Sequence, residues 1–208
     1  MNSNDLIKKL TNDAQPISKL SSPLVRCLKW LALSLFVVSI SWSLTSIRKD
    51  LSHQMEGARF FLESSVLLLL AISSALSVFI ISIPRTDMSR ISRFFPILPM
   101  SLWALLVGGA LLTNSENQWS AGMPCATEIL ILSLSCFGLI VWMIRKAAPT
   151  NLLATSCLAF MASTAIAAFA LNFSCSNSEP LHSFAWHFTP AMLIITAGSL
   201  LGRRLFKW

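Results

Sequence analysis

The chain has 208 residues, of which 54% are hydrophobic and 12% charged, about half the roughly 25% charged share of a soluble domain. A soluble chain this short could not hide so much apolar surface, so an ordinary water-soluble fold is excluded. The net charge of +7 invites a nucleic-acid reading only until its distribution is considered.

The first 25 residues form a segment of their own, ahead of a transmembrane domain over 26–208. Asn4 suits a helix N-cap, and Asp5 in the first turn suits the positive end of the helix dipole. Leu6, Ile7, Leu10 and Ala14 fall within about 100° of arc, the width of a buried helical stripe. Lys8, Lys9, Thr11 and Asn12 fill the rest of the wheel, with Asp13 near the stripe's edge. Pro16 ends the helix, and a linker from Ser18 to Pro23 leads on. Such a helix can lie on the inner leaflet, pack under the bundle, or dock in a partner's groove.

Six apolar runs follow, at 27–46, 60–83, 94–112, 125–144, 152–172 and 185–202. Each is close to the ~20 residues that cross a ~30 Å hydrocarbon core as a helix. The first exceeds a typical signal-peptide apolar region and runs into Ser46, Ile47, Arg48 and Lys49 with no cleavage site, so it reads as a retained anchor. The expected fold is an all-α integral membrane bundle of six spans with a short cytoplasmic amphipathic helix before it. Thirteen of the sixteen Lys and Arg residues fall on one side of this arrangement, with Arg48, Lys49 and Arg59 on the other. The positive-inside rule then places both termini in the cytoplasm, and the basic balance needs no nucleic acid.

Packing features agree with a bundle. Trp30, Trp142 and Trp208 are expected at the inner headgroups and Trp42, Trp119 and Trp186 at the outer ones, with Trp103 inside its span. Small residues at four-residue spacing, such as Ala159, Ser163 and Ala167, or Gly198 and Gly202, let helices approach closely. The pair Gly108-Gly109 reads as packing, and Pro99 and Pro190 as kinks.

Chemistry has few places to sit. Glu63 and Glu128 lie near span ends, so the mid-membrane charges of pumps and transporters are missing. Phosphate-binding loops and hydrolase motifs are missing too, so no enzyme and no cofactor are expected. A small transporter and a structural subunit of a membrane complex remain as alternatives. What stands out is a one-sided set of soft ligands: Cys125, Cys175, His53, His182 and His187 at the outer face, with Glu128 close by. The runs 125–144 and 152–172 are joined by a short connection and should form an antiparallel hairpin. Cys125 opens one helix and Cys175 follows the other, so their ends are neighbours. A plain staple, a thiol or metal switch, and an enzymatic redox pair are all open readings, and the last lacks a Cys-x-x-Cys relay. Cys125, Cys175, His182, His187 and Glu128 are the candidate metal ligands.

Asp5-Leu6-Ile7-x-x-Leu10-x-x-Asp13-Ala14-x-Pro16, six spans in about 200 residues, Cys175 before Glu179-Pro180, Trp186, and the closing Gly202-Arg203-Arg204-Leu205 resemble the NrsF family. Its members are membrane-bound negative regulators of extracytoplasmic-function sigma factors. The resemblance implies an anti-sigma factor in the bacterial inner membrane, with a cytoplasmic sigma factor and the bilayer as its partners. Asp5, Leu6, Ile7, Leu10, Asp13 and Pro16 would then hold the partner, and Cys125 and Cys175 would receive an envelope signal. The family pattern often has His immediately before the last-loop cysteine; here Ser174 stands there, which counts against a His-Cys metal site more than against a thiol pair.

Overall fold

The computed structural model describes residues 2–12, 20–83, 91–113, 119–145, 147, 149 and 151–205. Every regular element among them is helical: α1 Ser3–Asn12, α2 Pro23–Thr45, α3 Leu51–Gln54, α4 Ala58–Ile81, α5 Ile97–Thr113, α6 Met123–Ile144 and α7 Leu152–Ser174. The chain then passes from a single turn, Pro180–His182, into a π-helical segment, Ser183–Phe188, and on into α8, Thr189–Leu205.

Five stretches are long and apolar enough to cross a membrane: α2, α4, α6, α7 and the continuous run Pro180–Gly202. Three of them carry a proline in the first turn (Pro23, Pro124 and Pro180), where its missing N–H costs nothing. Side-chain caps fix two starts: Ser22 Oγ accepts from Val25 N at 3.4 Å, and Asn151 Oδ1 from Ala154 N at 3.0 Å. The expected run 94–112 is shorter than anticipated. Residues 93–96 form a turn, leaving α5 with 17 residues, about 25 Å at 1.5 Å per residue. Pro99 thus falls in the first turn of α5 and not mid-helix, so the kink expected there has no cause.

Helix α7 is the centre of the bundle. Of its most apolar window 67% is buried, against 22% for the terminal run, and it packs chiefly on α4, α8 and α6. Its small residues explain how so many neighbours fit. Ala159, Ser163 and Ala167 are fully buried, and Ser156 Oγ donates to Gly198 O at 2.8 Å, backbone against side chain. A methyl group at Gly198 would overlap the Phe160 ring, which is itself stacked on Phe137 with centroids 4.0 Å apart. Gly198→Val should therefore destabilise the purified protein by about 1–3 kcal/mol, the usual cost of overpacking, visible as a lowered Tm in detergent. Among the described residues nothing lies within 4 Å of a Cβ built at Gly108 or Gly109, so their expected packing role finds no partner there. Alanine at either site should leave Tm unchanged or slightly raised.

Two further expectations need correcting. Trp30 is not at a headgroup boundary; it is fully buried, and its indole N–H donates to Cys136 O at 3.1 Å. The indole needed a partner, and a helix carbonyl on α6 supplies one. Trp119 and Trp142 are exposed. Arg26, counted only as a basic flank, is also buried. It donates to Ser82 Oγ at 3.2 Å and Met143 O at 2.9 Å, with its guanidinium 4.7 Å from the Phe79 ring centre. It ties the start of α2 to the ends of α4 and α6.

Candidate thiol–imidazole site

The opposite end of the bundle is held by Arg48. Its backbone N–H donates to Phe173 O at 3.0 Å, and its guanidinium makes a two-pronged contact with Asp50, both bonds at 2.8 Å. The same group donates to Ser178 Oγ at 2.9 Å and Ser176 O at 3.2 Å. The Arg48 hydrogen bond holds the Asp50 carboxyl down to about 2. Since that value is lowered on folding, the latch contributes stability above the ordinary Asp pKa of about 3.9 and loses it as pH falls through about 2. This latch fixes the loop that follows α7, and that loop carries the chemistry.

Cys125 is the third residue of α6, and Cys175 is the C-cap of α7. The antiparallel α6–α7 hairpin sets their sulfurs 3.5 Å apart, with both thiols free. This is the juxtaposition the hairpin argument expected. His182 Nε2 lies 3.5 Å from Cys175 Sγ and 3.7 Å from Cys125 Sγ. His187 completes the group, its ring perpendicular to that of His182 at 5.4 Å between centroids. One ligand atom from each of the four residues lies within 4.8 Å of every other. Cys175, His182 and His187 are buried, and Cys125 is partly exposed. The Cys125 thiol donates to Cys175 Sγ, and this hydrogen bond, helped by His187 and opposed by burial, lowers the Cys175 pKa.

The histidines meet because of the π-helical segment. Residues five apart on an α-helix diverge by about 140°, whereas i→i+5 hydrogen bonding stacks them. That hydrogen-bonding pattern runs through 183–188, where Thr189 N–H bonds to Phe184 O. Pro190 follows Thr189, and with no N–H of its own it cannot close an i→i−4 hydrogen bond at this point. Around the cluster, Ser120 Oγ lies 2.9 Å from His182 Nδ1 and accepts from Asn177 Nδ2 at 2.8 Å. Trp186 Nε1 donates to Ser120 O at 2.8 Å. Gly122 allows this approach, since a Cβ there would come within 2.7 Å of His182 Cε1.

The remaining candidates separate. Glu128 lies one turn along α6, where its carboxylate accepts from Ser41 at 3.2 Å and Ser174 at 3.3 Å. It borders the cluster's cleft and does not join the four-residue group. His53 is exposed on α3, 3.8 Å from Glu56. Cys27 and Cys136 are buried within helices. A cleft of 590 Å³ reaches Cys125, Cys175 and His182 from one side, past Ser41 and Glu128. A smaller cavity of 160 Å³ reaches Cys175 and His187 from the other, past Arg48 and Glu63. Of the tail residues, Asp5 and Ile7 are exposed on α1, and Leu6 and Leu10 belong to the same helix. Asp13 and Pro16 lie outside the described residues.

Sequence reasoning missed Ser120, Asn177 and Arg48 as supports. No motif marks them, and they arrive through loops whose paths only the fold defines. No curated protein and no solved structure matches the chain. A family model described as NrsF, negative regulator of sigma F, matches residues 10–208 and thus begins after Asp5, Leu6 and Ile7. With nearly its whole length matched, and an all-helical, strongly apolar build among its described residues, the chain belongs to the NrsF family, the negative regulators of sigma F.

Proposed function

We propose that this chain is a membrane-bound anti-sigma factor that holds an extracytoplasmic-function sigma factor at the cytoplasmic face of the inner membrane. The observation that carries the reading, beside the family, is α1: a ten-residue helix that leaves Ile7 58% exposed. A segment this short is not a stable helix by itself in water, so an apolar stripe on it calls for a partner surface. The helix-in-groove mode supplies one, reading anchors three and four residues apart, here Leu6 and Ile7, four and three residues before Leu10. Asp5, Asp13 and Pro16 complete the contact segment. The chain acts by binding and not by catalysis.

In this reading α5 crosses as the third of six spans, its short length met by local bilayer thinning and by the turn at 93–96. Both termini are then cytoplasmic, and the thiol–imidazole cluster faces the envelope. The signal is chemistry at Cys125 and Cys175, by an oxidant or a thiophilic ion. It must pass ~30 Å of lipid, which a packed bundle does by discrete helix shifts.

Topology and capture test this together. Reporter fusions after residues 88, 147 and 208 should read as cytoplasmic, and those after 52, 117 and 178 as outside. Removal of residues 1–20 should leave a chain in the membrane that no longer represses its target promoters. An outside reading at Trp208 would defeat the six-span arrangement and the regulatory proposal with it.

A further inference from the structure

We infer that Cys125, Cys175, His182 and His187 form a four-coordinate site for a thiophilic or borderline divalent cation of the zinc or cadmium type. The inference names the ligand of the signal site; its regulatory meaning rests on the proposed function, whereas ion binding itself does not.

Three observations carry it. The first is shape. A tetrahedral ion bound at about 2.3 Å to sulfur and 2.0–2.1 Å to imidazole nitrogen has S···S edges of about 3.8 Å and S···N edges of about 3.6 Å. The corresponding separations here are 3.5 Å between the sulfurs, and 3.5 and 3.7 Å from His182 Nε2 to each. The fourth ligand lies within 4.8 Å of the other three, so a small ring movement closes the set.

The second is an unmet demand. His187 is buried, and its Nε2 has no hydrogen-bond partner among the described residues. A buried polar atom left in this state is costly, and an ion held among the neighbouring sulfurs and imidazole would satisfy it. The third is orientation. Ligation through His182 Nε2 needs the proton on Nδ1, and Ser120 Oγ stands 2.9 Å away to accept it. Asn177 in turn holds Ser120, the outer support that metal-bound histidines usually have.

The charge balance suits the location. A dication displaces one proton from each thiol, leaving two thiolates, two neutral imidazoles and no net charge. Two soft sulfurs select against magnesium and calcium. The ion would clamp the start of α6, the end of α7 and the π-helical entry to α8. Three helices would then share one joint, which is a direct route from ligand to bundle packing.

Titration of the full-length reduced chain in detergent with cobalt(II), then zinc or cadmium, tests this. We expect one ion per chain, with tetrahedral ligand-field and thiolate-to-cobalt charge-transfer absorption, bleached by zinc. His182→Ala and His187→Ala should each weaken binding more than the 10–100-fold typical of outer-shell changes, and His53→Ala should change nothing. Absence of stoichiometric binding by the wild-type chain overturns the site. Unaltered affinity in both histidine variants would overturn the four-ligand set in favour of a bare dithiol. Neither result touches partner capture by α1, which is measured separately.

Discussion

Leu6→Asp combined with Leu10→Asp should abolish partner capture while leaving the chain in the membrane. Each leucine, fully buried in a groove, contributes roughly 1.5–3 kcal/mol, and each introduced carboxylate would also have to be desolvated. Loss of both should weaken binding by at least about two orders of magnitude, at about 1.4 kcal/mol per tenfold. The expected readout is constitutive transcription from the target promoters. Lys8→Ala and Lys9→Ala should do much less. If the lysine changes had the larger effect, α1 would be a leaflet anchor or an electrostatic contact, and the groove model would fail.

The second large effect is expected at the thiols. Cys125→Ser and Cys175→Ser should each change signalling in the same way, and the double variant should add nothing, because the two sulfurs act as one unit 3.5 Å apart. Serine at Cys27, Cys136 or Cys157 should be nearly silent in the same promoter assay, since none of these belongs to the cluster. Additive single effects would mean that the two cysteines serve separate purposes.

The α6–α7 hairpin was legible in the sequence because it depends on apolar run length and a short connection, both of which are local. That is why residue order alone brings Cys125 and Cys175 together. Bringing in the histidines was harder. His182 and His187 are five residues apart, a spacing that an ordinary helix sends to different faces. Pro190 hinted at a disturbed helix, but nothing in the residue types specified a π-helical turn. Ser174 in place of a histidine argued against a metal site, and the structure supplies imidazoles from the other side of the loop instead. Trp30 misled for a related reason. A tryptophan near a span end suits a headgroup or a buried carbonyl equally, and Cys136 O decides it only once α2 and α6 are packed. The third apolar run is also longer than the helix it forms, since hydropathy alone does not show where Phe94 to Pro96 leave the helix.

The central claim, that this chain retains a sigma factor through α1, is tested most directly by co-purification from gently solubilised membranes. The full-length chain should bring down a soluble sigma-like protein in stoichiometric amount, and the Leu6→Asp, Leu10→Asp variant should bring down none. Equal recovery with both chains, or a wild-type chain that carries no such protein, would contradict it.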